Sequence, residues 1–168
     1  MNEYSRLLSV APALYSPAIK GAIMLWGGLL SASYHDMSNS GTSEDYTRYL
    51  NLCRDYYEAV ESGNEEKMEE LNDWVSCGAT TGKGRFAHAS RPSIDHLFDV
   101  ASSLTRLENP LTVYRSGREN FDCYVSTSVI QGAYNHGTTN TYILPVGYSV
   151  VVAGEWADEG ELIVKLIN

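Results

Sequence analysis

Basic residues are scarce in this 168-residue chain: 12 lysines and arginines stand against 21 aspartates and glutamates, a formal net charge of −9. A surface that neutralises phosphates needs the opposite balance, so neither general nucleic-acid binding nor electrostatic attachment to a membrane is expected. Cysteine is equally scarce. Cys53, Cys77 and Cys123 form no Cys-x-x-Cys pair, and an odd count does not build a disulfide framework, so a reduced, cytoplasmic setting is the expectation. No Asn-x-Ser/Thr sequon occurs. Long hydrophobic runs are missing too. The apolar stretch 22–30 is too short to span a bilayer and lacks a basic lead, so it reads as a buried N-terminal helix. His35, His88, His96 and His136 form no His-x-x-x-His pair and lie near no cysteine at ligand spacing, so no metal site is expected. No residue pattern specifically marks a Cys–His nucleophile pair, whose members would meet only in space.

What is present is ordinary globular material, 43% hydrophobic and 20% charged in 18.6 kDa. That size suits one domain over 1–168, helical in 1–110 and strand-rich in 111–168. Charge falls in blocks: residues 44–73 carry a net −7, residues 74–118 a net +3, and residues 119–168 a net −5. The cationic middle is where an anionic ligand would go. The acidic run 44–73 reads as the solvated face of two helices, with a docking surface for a basic partner as the alternative. Gly78-Ala-Thr-Thr-Gly-Lys-Gly84 has the wrong spacing for a phosphate loop and reads as a glycine-rich connection, although Arg85 beside it is placed to meet a phosphate.

Spacing of three and four dominates the first two thirds. Tyr46, Tyr49, Leu50, Cys53, Tyr56, Tyr57 and Val60 form one apolar stripe, opened by Ser43, Glu44 and Asp45 and broken by Ser62-Gly63-Asn64. A second helix starts at Asn64 and turns Met68, Leu71, Trp74 and Val75 inward. A third follows Pro92, with Ile94, Leu97, Phe98, Ala101, Leu104 and Leu107 on one face, and Asn109-Pro110 stops it. Five short β-branched or aromatic runs follow at 111–115, 123–128, 141–146, 148–153 and 161–167. Helices first and strands afterwards predict an α+β fold.

The strand-rich third carries the chemistry. Arg115 ends a strand in Val-Tyr-Arg-Ser-Gly, Ser126-Thr127-Ser128 ends the next, and Glu159-Gly160-Glu161 immediately precedes Leu-Ile-Val-Lys-Leu. This order of arginine, Ser-Thr-Ser and Glu-x-Glu, with Tyr-Ile-Leu-Pro-Val-Gly147 before the closing strands, resembles the arginine–serine–glutamate class of mono-ADP-ribosyltransferases. The resemblance covers residues 111–168; nothing before Leu111 contributes to it. It implies a small-sheet β-sandwich of the ADP-ribosyltransferase type with the N-terminal helices packed against it. It also implies NAD⁺ as co-substrate and a target protein as partner, modified on arginine.

Carried over by position, the resemblance makes Arg115 the NAD-holding arginine, Ser126 the serine that positions the catalytic carboxylate, and Glu161 that carboxylate. Glu159 then engages the acceptor, and Trp156 falls in the target-recognition loop. Tyr114, Thr127 and Ser128 complete the cofactor-binding set. The residue types suit the reaction. An arginine offers fixed planar donors to phosphate or ribose oxygens, and a carboxylate against the ribose stabilises an oxocarbenium-like centre, as in glycoside hydrolysis. Only eleven residues separate Arg115 from Ser126, and seven follow Glu161, both fewer than the family usually shows. A compact member of the kind bacteriophages encode against host proteins fits that trimming. Two alternatives stand beside it: an NAD⁺ glycohydrolase using the same site on water, and a binding or inhibitor protein that docks a basic partner through residues 44–73.

Overall fold

Capped helices and short β-branched strands make up the architecture in a computed structural model, which describes residues 2–33, 43–73, 91–116, 124–131, 138–156 and 160–167. The helices are α1 (Glu3–Leu14), α2 (Pro17–Ser33), α3 (Ser43–Ser62), α4 (Glu65–Asp73) and α5 (Arg91–Leu104). The strands are β1 (Leu111–Ser116), β2 (Val125–Ser128), β3 (Thr139–Leu144), β4 (Val151–Val152) and β5 (Glu161–Val164). The chain is therefore α+β, as its patterning predicts.

Local chemistry sets the helix ends. Asn2 caps α1 by accepting the Ser5 N–H at 2.7 Å. Ser16 receives the Ile19 N–H and Pro17 takes the first helical position of α2, where a missing N–H costs nothing. Gly63 closes α3 in the left-handed region at φ 68°, with Asn64 N–H on the Ala59 carbonyl at 2.9 Å. Asn64 then caps α4 through the Lys67 N–H at 3.1 Å, and Glu65 and Glu66 sit at the positive end of that helix.

The chain forms two compact units, Ser16–Leu97 and Met1–Tyr15 with Phe98–Asn168. In the helical unit, α2 buries Ile19, Ala22, Ile23 and Leu25, and α3 buries Tyr49, Leu52, Cys53, Tyr56 and Ala59. Gly21 is what lets α2 approach α3, because a Cβ there would lie 1.8 Å from the Cys53 carbonyl oxygen. Burial pushes the Cys53 thiol well up, only partly offset by Tyr49, so this cysteine behaves as packing material, not as a nucleophile. Leu71 of α4 is buried as expected; Trp74, Val75, the Gly78–Gly84 connection and Arg85 lie outside the described residues, as do Cys77, Cys123, His35, His88 and His136.

The other unit joins α1 and the latter part of α5 to a five-stranded antiparallel sheet of order β3-β1-β2-β5-β4. Glu3, with a side chain only 4% exposed, ties α1 to the chain ahead of β1. Its carboxylate takes Arg6 Nε at 2.8 Å, the Asn109 N–H at 3.0 Å and Asn109 Nδ2 at 2.9 Å, and Arg6 also donates to the Arg106 carbonyl. Burial acts to raise this carboxyl, but the hydrogen bonds from Arg6, Asn109 and Glu108 outweigh it and hold it below the usual carboxylate range. α5 stops at Leu104, which is 40% exposed, earlier than a helix carrying both Leu104 and Leu107 inward. The reason lies in the backbone. Residues 105–107 turn extended and bond to 147–150, through Val150 N–H to Thr105 and Leu107 N–H to Tyr148, which buries Leu107 without a helix. Among the described residues, no helix is long and apolar enough to cross a membrane.

Gly21→Ala forces α2 and α3 apart against backbone, so thermal unfolding should show a loss of about 2 kcal/mol or more. Glu3→Gln should cost about 1–2 kcal/mol at neutral pH, with solvent screening near the surface keeping the loss small. Because the folded carboxyl titrates low, its stabilisation is present above the ordinary value of 4.5 and is lost as pH falls through the folded value. Urea titrations at a series of pH values should therefore show the gap between wild type and Glu3→Gln closing towards acid.

Candidate functional site

β2 lies between β1 and β5, and its pairing decides which side chains meet. Val125, Ser126, Thr127 and Ser128 stand opposite Val164, Ile163, Leu162 and Glu161. Alternation along the strands puts Ser126, Ser128 and Glu161 on one face and Thr127 on the other. Tyr114 of β1 stands opposite Ser128 and continues the row. Thr127 is fully buried with its hydroxyl donating to the Leu162 carbonyl at 3.4 Å, so it packs away from the row.

Within the row the hydroxyls differ. Ser128 donates to the Ile130 carbonyl at 2.8 Å and accepts the Ile130 N–H at 2.9 Å, which occupies it locally. Ser126 is the diagonal neighbour of Glu161, within reach for side chains on one sheet face. Its hydroxyl is buried and makes no hydrogen bond of bonding geometry, yet it lies near enough to favour the ionised Glu161. Glu161 itself is 7% exposed on a strand buried throughout. Burial pushes its carboxyl above the ordinary range, and the Ser126 hydroxyl opposes that without cancelling it.

Arg115 meets β2 at its backbone. Among the described residues, β1 and β2 are in register at the single pair Tyr114↔Ser128. Alternation starts the Arg115 side chain on the Thr127 face, and its Nη1 donates at 2.9 Å to the Ser126 carbonyl, not to the hydroxyl. Arg115 Nε is buried and without a hydrogen-bond partner. Arg115 Nε and Ser126 Oγ are thus both buried without a hydrogen bond of good geometry, Ser126 beside the raised carboxyl and Arg115 against the Ser126 backbone, and burial of an unpaired group ordinarily costs about 1–3 kcal/mol. Such atoms are suited to hold hydroxyl or phosphate oxygens of a ligand.

Trp156 closes a turn by donating its N–H to the Ala153 carbonyl at 3.0 Å, and its ring centre is 5.8 Å from that of Tyr15. Tyr15 is held by Thr105 Oγ1 at 2.8 Å and by the Val152 N–H at 2.9 Å. Glu159 lies outside the described residues.

Motif order alone misses Tyr4. Its hydroxyl packs against Gly154, where a Cβ would sit 1.6 Å from the phenol oxygen and 3.4 Å from the Glu161 backbone nitrogen. The signal available was the helical spacing of Tyr4, Leu7 and Ala11, which places all three on one face of α1. A second polar group gathers at the other end of the β2–β5 ladder, where Lys165 pairs with Asp99 at 3.2 Å and lies 4.8 Å from the Tyr124 ring centre. It borders a cleft of about 510 Å³ walled by Pro145, Val146, Tyr148 and Ile167. Unlike Ser126 and Arg115, these groups satisfy one another, with the Tyr124 hydroxyl bonded to Asp99 and in contact with Ser102.

No family model, no curated protein and no solved structure matches this chain.

Ser126→Ala removes a hydroxyl that favours the ionised form of Glu161, so the Glu161 carboxyl should titrate higher still in the variant. Carboxyl-detected NMR of both proteins reads this directly. An unchanged titration would show that the hydroxyl and the carboxylate do not interact.

Proposed function

We propose that this protein is an NAD⁺-dependent mono-ADP-ribosyltransferase acting on arginine of a target protein. The observation that carries the reading is the buried Ser126 hydroxyl diagonal to the raised carboxyl of Glu161, with Arg115 held on the Ser126 carbonyl and its Nε buried without a hydrogen-bond partner. Those three residues are the ones that the arginine, Ser-Thr-Ser and Glu-x-Glu pattern singles out. The described strands form one five-stranded antiparallel sheet, so the two-sheet sandwich that the resemblance implies is not what supports the reading.

On this reading Arg115 holds diphosphate or ribose oxygens of NAD⁺, and Tyr114 and Ser128 stand in the row with Glu161. The bond between ribose C1′ and the nicotinamide nitrogen breaks, and its electron pair leaves with neutral nicotinamide. Glu161, ionised and aligned by Ser126, stabilises the positive charge that develops on the ribose. A guanidine nitrogen of the acceptor then bonds to C1′ and gives up a proton, for which Glu159 is the assigned carboxylate. Trp156, steadied on Tyr15, would meet the acceptor protein. Thr127 keeps a packing role, since its hydroxyl is already bonded to the Leu162 backbone.

The test is incubation with NAD⁺ and lysate, following nicotinamide release and labelled protein. Glu161→Gln should lower both by about 10²-fold or more, the scale of losing a preorganised electrostatic group. Loss through unfolding is distinguishable. The native Glu161 carboxyl holds its proton more tightly than an ordinary one, so its contribution favours folding at low pH and is lost as pH rises through the raised value. The Gln variant should therefore melt no lower than wild type at pH 7. Glu159→Ala should lose transfer and spare some hydrolysis; release without labelling points to a glycohydrolase. No release and no NAD⁺ binding would favour the docking reading, whose surface is the exposed Glu58, Glu61, Glu65, Glu66, Glu69 and Glu70 of α3 and α4.

A further inference from the structure

We infer that Tyr4 is a positioning residue of the Glu161 site: its hydroxyl, seated against Gly154, receives the Glu161 backbone N–H and fixes where β5 begins. Three observations carry this. The phenol oxygen and the Glu161 nitrogen flank the same point, 1.6 Å and 3.4 Å from where a Gly154 Cβ would stand, so the absence of a side chain there makes the approach possible. The Glu161 carbonyl accepts the Ala153 N–H at 3.1 Å, but the Ala153 carbonyl, which would receive the Glu161 N–H in a complete antiparallel pair, accepts the Trp156 N–H at 3.0 Å instead. And Tyr4 follows Glu3, whose carboxylate locks this turn of α1 to Arg6 and residues 108–109, so the phenol is delivered by an anchored helix.

The groups also sense one another electrostatically. Burial and the Glu161 carboxylate both act to raise the Tyr4 phenol, and the Glu161 N–H acts against them. Tyr4 is therefore neutral over the working range and serves as an acceptor for the backbone. Its consequence for chemistry is indirect. A carboxylate on the first residue of a strand is aimed by the backbone that carries it, and an untied strand end would admit water and let the carboxyl swing. Displacement on the order of 1 Å in a reacting group costs about 10²-fold in rate, and a partial loosening costs less.

The role in catalysis rests on the ADP-ribosyl transfer reading; the contact does not, and the experiment separates them. Tyr4→Phe keeps the ring and its packing while removing the oxygen, and Gly154→Ala displaces the phenol from the other side. In both variants the Glu161 carboxyl, followed by NMR, should titrate lower than in wild type, towards the ordinary value, as water reaches the strand end. Nicotinamide release by Tyr4→Phe should fall about tenfold in kcat with little change in KM. A Glu161 titration identical to wild type in Tyr4→Phe overturns the inference, whatever the activity. If wild type releases no nicotinamide but the titration moves in both variants, the transferase reading fails and the positioning contact stands. Gly154→Ala guards against a refolded Tyr4→Phe: a shift in one variant only assigns the effect to local repacking and also overturns the inference.

Discussion

The ladder between β2 and β5 is the constraint on which the strand-bearing unit depends. Four successive pairs join Val125–Ser128 to Glu161–Val164, and β5 is buried along its whole length. Leu162, Ile163 and Val164 are each fully removed from solvent, worth about 1.5–3 kcal/mol apiece against exposure. A strand held that firmly on its apolar residues carries its first residue with it. Glu161 is buried because its neighbours are, and the site's electrostatics follow from that placement.

The surroundings use the same economy of anchoring. Glu3 ties the first turn of α1 to residues 106–109, and Tyr15 at the far end bonds to Thr105 and to the Val152 N–H. One helix is therefore pinned at both ends to the sheet unit. The turn that begins at Ala153 meets this helix region twice, Gly154 at the Tyr4 hydroxyl and Trp156 at the Tyr15 ring.

Polar atoms are satisfied unevenly across this unit, and the unevenness is informative. At one end of the ladder the buried Tyr124 and Ser102 hydroxyls meet, and Tyr124 and Lys165 also bond the exposed Asp99. Ser126 Oγ and Arg115 Nε, by contrast, are buried without a hydrogen bond of good geometry, and among the described residues the Ser126 hydroxyl meets only the Glu161 carboxyl. A donor buried without a full partner ordinarily opposes stability.

Much of this was legible in the residues alone. The stripe through Tyr49, Cys53 and Tyr56 identifies the buried side of α3, Gly63-Asn64 marks the break before α4, and the β-branched runs around Val113, Val125 and Ile163 identify strands, because helix, turn and strand preferences are local properties. The order arginine, Ser-Thr-Ser, Glu-x-Glu names the candidate residues for the same reason: each motif is a few residues long. What local pattern does not contain is which strands become neighbours, and that is set by long-range pairing. Only the register of β2 against β5 sets Ser126 diagonal to Glu161, and only the short β1–β2 pairing brings Arg115 onto a backbone carbonyl. The early end of α5 is of this kind as well, since residues 105–107 leave the helix for partners some forty residues onward. Tyr4 is the clearest case. Its own spacing shows that it faces inward, but that it faces Glu161 follows from packing 157 residues apart in sequence, through a gap that Gly154 leaves open.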